Sequence, residues 1–105
     1  MGKQKVQKQL NIFVKRVKEK LYPEKIILFG SYAQKKANDY SDIDVIVISN
    51  SFNQMKEKER FDYLYDLSKD LYPDINAFGL TPKEAKQVNS LTTIYEALKT
   101  GVTIS

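Results

Sequence analysis

The segment Leu28 to Ile48 reads LFGSYAQKKANDYSDIDVIVI, and it constrains the fold more than any other part of the chain. Ile26 to Phe29 is a short run of β-formers, Gly30-Ser31 stands where a strand stops and a helix begins, and Val45 to Ile48 is a second apolar run. A glycine at such a turn lets a ligand approach the backbone, and a serine there can cap the helix. The unpaired N–H groups of that first turn, with the positive end of the dipole, make a seat for phosphate. Asp42 and Asp44 open the second run two residues apart. On an extended chain both carboxylates therefore point to one face, about 7 Å apart.

Two carboxylates at that spacing repel by roughly 2 kcal/mol at an effective dielectric of about 20, so something positive is expected between them. Mg²⁺ suits the position, being a hard cation that prefers carboxylates, waters and substrate phosphates. A pair of metals about 3.5 to 4 Å apart can stabilise the attacking and leaving oxygens of an in-line displacement at phosphorus. A third acidic group is then wanted on an adjacent strand. Asp74 answers to this, because it opens the run Asp74 to Phe78 after Pro73 has ended the preceding helix. Each piece alone has an ordinary reading: a Gly-Ser is mostly just a turn, an Asp-x-Asp mostly a solvated strand end, and Asp74 a turn residue. The joint arrangement is far more specific.

Taken together, these residues resemble the nucleotidyltransferase superfamily that includes DNA polymerase β and kanamycin nucleotidyltransferase. The closer likeness is to the minimal nucleotidyltransferases, often encoded beside a HEPN-domain protein. Gly30-Ser31, ten intervening residues and Asp42-Ile43-Asp44 match that family's signature in type and spacing, and the helix-Gly-apolar ending from Ile94 to Ile104 resembles the close of such chains. The resemblance implies an α/β nucleotidyltransferase fold, a small mixed sheet flanked by helices. It implies phosphate binding by Gly30 and Ser31, metal binding and catalysis by Asp42, Asp44 and Asp74, one or two Mg²⁺ ions, and ATP as substrate. One departure is clear: many members carry Ala-Arg-Gly after the Gly-Ser-x, where this chain has Ala33-Gln34-Lys35. Lys35 or Lys36 could supply the missing charge, and a solvated lysine pair is an equal reading.

The reaction so implied is transfer of AMP from ATP to a hydroxyl acceptor, which the resemblance places on a HEPN-domain toxin, with this chain as its antitoxin. The alternative is a nucleotidyltransferase-fold module that neutralises its partner by contact. An aminoglycoside-modifying enzyme is less consistent, for want of an extra domain to build a drug pocket.

Length and composition agree. At 105 residues and 42% hydrophobic content, residues 1–105 are expected to form one domain around a modest core. Without cysteine or histidine, any catalysis rests on carboxylates, lysines, hydroxyls and metal. No signal peptide is read and no apolar stretch could span a bilayer, so a cytoplasmic protein is the default expectation. Of the net charge of +4, residues 1–25 carry eight Lys or Arg against two Glu, a local net of +6. The excess lies on the first helix, where Val6, Leu10, Phe13, Val14, Val17 and Leu21 form one apolar stripe and Lys3, Lys8, Lys15, Arg16 and Lys18 lie largely off it. This reads as a core-packed helix with a wet basic back, or as a docking face for an acidic partner or nucleic acid, although nucleic acid is not expected as the direct target of the reaction.

The remaining pattern predicts helix Lys5 to Leu21, strand Lys25 to Phe29, a short helix from Ser31 and strand Ile43 to Ile48. A polar loop Ser49 to Asn53 precedes a helix to about Leu71, with Phe61, Leu64, Leu67 and Leu71 on one side. Thr81-Pro82-Lys83-Glu84 is a helix start with a capping hydroxyl, a proline and a glutamate placed to reach back. A last helix runs from Leu91 to Thr100, Gly101 caps it, and Val102 to Ile104 adds an edge strand. Tyr63, Tyr65 and Tyr95 are expected to be half-buried, whereas Tyr32 and Tyr40 flank the proposed site and could line a base pocket or pack at its edge.

Overall fold

The computed structural model describes residues 3–37 and 41–105. Helix α1 (Lys3–Leu21) is followed by strand β1 (Lys25–Phe29), the one-turn helix α2 (Gly30–Ala33) and strand β2 (Ile43–Ile48). A 3₁₀ turn (Asn50–Gln54), helix α3 (Glu57–Asp66), strand β3 (Ile75–Leu80), helices α4 (Pro82–Lys86) and α5 (Thr93–Thr100) and strand β4 (Val102–Thr103) complete the order. Among the described residues four strands form one mixed sheet in the order β3-β2-β1-β4. β1 pairs antiparallel with β2 and β4, whereas β2 and β3 run parallel with Asp44 level with Asn76. No described helix is long and apolar enough to cross a membrane.

Alternation along β2 divides its side chains between two layers. Ile43, Val45 and Val47 join Leu10, Phe13, Val17 and Leu21 of α1, Leu64 of α3 and Phe52 in the larger core. Ile46 and Ile48 face the other way and pack with Ile27 and Ala97, beneath α4 and α5. Among the described residues, α4 and α5 pack over the end of this face that holds Ile46 and Ile48. At the other end, where β2 begins, Asp44 is half-buried and Asp42 exposed.

The apolar stripe of α1 packs as its spacing predicts, and Tyr22, with φ of +46°, turns the chain out of the helix before Pro23. The segment expected to be a polar loop is instead a 3₁₀ turn that caps α1. The buried Ser49 hydroxyl donates to the Leu21 carbonyl at 2.5 Å, Ser51 Oγ donates to the same oxygen at 2.9 Å, and Phe52 is fully buried. Orphan carbonyls at a helix end need such partners.

Helix α3 is shorter than expected, ending at Asp66, and Phe61 is 55% exposed rather than in the core. The inward positions go to Leu64 and to Arg60, whose buried guanidinium donates to the carbonyls of Met55, Gly79 and Phe52 and pairs with Glu84. An arginine so satisfied can occupy a core-facing position, and it turns Phe61 outward. Tyr63 and Tyr95 are half-buried as expected, while Tyr65 is exposed.

The start of α4 follows its signature: Thr81 Oγ1 accepts from Glu84 N at 3.1 Å and Glu84 Oε1 accepts from Thr81 N at 2.8 Å. Helix α5 begins at Thr93 under a Thr92 cap. Gly101 ends α5 with an ordinary φ of −70°, so it is needed for room rather than for dihedral freedom. A Cβ there would meet Ala97 O and Ile27 Cγ2 at 2.5 Å.

Candidate active site

The site is built where three strand ends meet. β1 stops at Phe29, which lies level with Asp44 of β2. Gly30 then takes a left-handed φ of +71° and turns the chain into α2. A Cβ on Gly30 would collide with Asp44 Oδ2, so glycine is required here both by dihedral and by contact. The N-cap of α2 is Phe29, with no side chain accepting from the first turn. Ser31, expected as a cap, therefore sits inside the turn, half-buried, with its carbonyl accepting from Lys36 N at 2.9 Å. Because the left-handed dihedral falls on Gly30, the helix begins one residue earlier than the serine would place it. Lys35 and Lys36 are exposed, Lys35 being the left-handed residue that closes the turn at φ of +59°.

Asp42 and Asp44 lie on the same face, as the two-residue spacing requires. Between them lies the side-chain amide of Asn76, from the parallel neighbour β3. Its Nδ2 donates to Asp42 Oδ2 at 3.1 Å and to Asp44 Oδ1 at 3.3 Å. Burial raises the Asp44 pKa above the ordinary carboxylate value; the Asn76 hydrogen bond pulls it down, and repulsion from Asp42 adds to the rise. On the same face as Asp44, Phe29 and Phe78 form an aromatic pair with ring centroids 6.1 Å apart and planes tilted by 43°.

Asp74 lies two residues before Asn76, and its carbonyl accepts from Ile43 N at 2.8 Å, which fixes the mouth of the parallel pair. It is exposed and borders a cleft of about 170 Å³ that runs along β3 beneath Phe61, Tyr65 and Lys69 of the neighbouring segment. The structure thus brings Asp42, Asp44 and Asn76 together beside Gly30. Among the described residues no three acidic, histidine or cysteine side chains form a metal-holding group. Tyr32 packs against the larger core and its hydroxyl donates to the Ser41 carbonyl at 3.5 Å. Tyr40 lies outside the described residues.

Asn76 is the site residue that sequence reasoning missed. The signal was present in Asp74-Ile75-Asn76, where alternation places residue 76 on the same face as residue 74, but only the parallel register sets it level with Asp44.

The donor set is all oxygen and hard, from a chain with no imidazole or thiolate, and it fits a cation such as Mg²⁺ rather than a soft transition metal.

With this geometry in hand, comparison with known proteins defines the class. Residues 10–99 match the nucleotidyltransferase domain family, and the chain belongs to that family. No curated protein sequence matches the chain. Among solved structures, a candidate nucleotidyltransferase from Sulfolobus solfataricus shares 22% identity and a TM-score of 0.60, over 98% of this chain and 87% of that one. BolA1 from Arabidopsis thaliana is similar at 18% identity and a TM-score of 0.59, over 72% of this chain and 94% of its own. The BolA domain of SufE1 from the same plant reaches 0.55 at 17% identity, covering 80% and 98% respectively. At such identities the likeness is one of fold, which different functions share, so function must be argued from the site.

Proposed function

We propose that this chain transfers AMP from ATP to a hydroxyl group of a partner protein, with pyrophosphate leaving, and that the partner is a HEPN-domain toxin silenced by the modification. The observation that carries this reading is the placement of Asp42 and Asp44 on one face at the start of β2, with Asp44 against Gly30, inside the segment that matches the nucleotidyltransferase domain. Asp42 and Asp44 would hold one or two Mg²⁺ ions; Asp74, expected as a third ligand, forms no metal-holding group with them among the described residues. Bound there, the metal would neutralise charge on the triphosphate and on the attacking and leaving oxygens.

The chain's own residues supply the rest. The Gly30 turn, with no Cβ, would let a phosphate approach the backbone, and the Ser31 hydroxyl would donate to it. In the transfer, the acceptor oxygen bonds to the α-phosphorus as the bond to the bridging oxygen of pyrophosphate breaks. Asp74 would take the acceptor's proton. The cleft that Asp74 borders along β3 is the opening at which a protein acceptor would be received.

A second reading has one observation in its favour. The Asn76 amide already bridges the two carboxylates without a metal, so the site could be a relic on a module that neutralises its partner by contact. The two are separated by incubating the protein with α-labelled ATP, Mg²⁺ and the neighbour-encoded partner, beside an Asp42→Ala, Asp44→Ala variant. Label on the partner from wild type alone supports transfer. Equal inhibition of the partner by both proteins, without label, overturns it in favour of contact.

A further inference from the structure

We propose that Asn76 is a positioning residue whose amide holds the Asp42 and Asp44 carboxylates together and competes with a divalent cation for them; this rests on the reading that the pair takes a cation. Asn76 lies level with Asp44 across the parallel pair, and Asp42 is one pleat back along β2 on the same face. From that place a single primary amide reaches both, one N–H for each carboxylate, at 3.1 and 3.3 Å. The other oxygen of Asp44, Oδ2, is the one against Gly30, so the carboxylate is fixed from two sides.

A neutral amide is suited to this task. It offsets part of the repulsion that two like charges on one strand face generate, and a hydrogen bond to an ionised acceptor is stronger than one between neutral groups. It does so without the charge of a lysine or arginine, which would block the site to a cation outright. A cation seated between the two carboxylates would draw on Asp42 Oδ2 and Asp44 Oδ1, the oxygens that already accept from the amide, so amide and cation compete there. Asn76 therefore stabilises the cation-free pair and weakens cation binding. An aspartate at this position would instead add a ligand and a third repelling charge.

The test uses Mn²⁺ alone as probe, titrated by electron paramagnetic resonance, with thermal unfolding in chelator as a second readout. Asn76→Ala is expected to bind Mn²⁺ about tenfold more tightly than wild type, equivalent to ~1.4 kcal/mol. Asn76→Asp is expected to bind more tightly still, and both variants unfold at lower temperature than wild type in chelator. Mn²⁺ binding by wild type that is lost in the Asp42→Ala, Asp44→Ala variant but no tighter in Asn76→Ala overturns the role of the amide and leaves the proposed function standing. Absence of Mn²⁺ binding in every variant overturns both.

Discussion

Gly30 and Asp44 are in contact across the β1–β2 pair, with the glycine in a left-handed conformation and no room for a side-chain carbon against the carboxylate. Any other residue at position 30 must strain its backbone and move Asp44 at once. Gly30→Ala is expected to destabilise the fold by about 1–3 kcal/mol, from the left-handed cost and the displaced contact together. It should also abolish nucleotidyl transfer. Urea denaturation and the labelled-ATP assay measure the two effects. A stable, active Gly30→Ala protein would show that neither the dihedral nor the contact matters.

Asp44 presents a trade between stability and chemistry. Burial and the nearby Asp42 both disfavour its ionised form, and only the Asn76 hydrogen bond compensates. Asp44→Asn removes the charge and keeps an oxygen able to accept from Asn76. The variant is expected to be at least as stable as wild type in chelator at neutral pH, and inactive. A gain of ~1 kcal/mol would raise the melting temperature by about 4–8 °C for a domain of this size. A marked loss of stability would mean that the carboxylate has a structural role beyond the repulsion described.

The limits of sequence reasoning follow the same division between local and distant contacts. β1 emerged with its observed bounds because Gly30 breaks an apolar run, and the Thr81–Glu84 capping box because its four residues carry the whole interaction. Asp42 and Asp44 shared a face because strand alternation is local. By contrast, Asn76 joins them only through a register set 32 residues away, and Ser49 caps a helix end 28 residues upstream. The inward Arg60 was illegible because an arginine in a charged helix reads as surface until the carbonyls that receive it are in place. The place of Asp74 before a strand is legible in the sequence, whereas its separation from the other two carboxylates is set by the sheet, and among the described residues it forms no metal-holding group with them.

Arg60 is expected to be among the most sensitive positions outside the site. Its side chain is 10% exposed, bonds three carbonyls and Glu84, and carries its guanidinium 5.7 Å from the centre of the Phe52 ring. It thereby ties the 3₁₀ turn, α3, β3 and α4 together. Truncation leaves three carbonyls without this donor, at about 1–3 kcal/mol for each buried group left unsatisfied, while Glu84, with its side chain 43% exposed, is solvated. Against a total stability of roughly 5–15 kcal/mol, Arg60→Ala is expected to be marginal at 37 °C. Arg60→Lys retains charge without the planar fork and should fall between. The exposed Arg16–Asp70 pair is the control: Arg16→Ala should cost less than about 1 kcal/mol. Comparable urea midpoints for the two alanine variants would overturn this ranking.

The ionisable groups also set the acid response of stability, measured as the urea midpoint against pH in chelator. The Arg60 hydrogen bond holds the Glu84 carboxyl below its usual value of 4.5, and the Arg16 hydrogen bond holds Asp70 below 3.8. A carboxyl depressed in the folded state contributes stability above its unfolded value and loses it as pH falls through that value toward the folded one. Stability should therefore be level from neutral pH down to about 5 and drop below that. Glu84→Gln should shrink the drop while lowering stability at neutral pH. Asp44 acts in the opposite sense, because its raised pKa favours folding with the proton on and costs stability as pH rises past the usual value of 3.8. Asp44→Asn removes that opposing contribution, so its acid drop should be steeper than that of wild type. A shallower drop would mean that Asp44 is held ionised by partners stronger than the Asn76 amide.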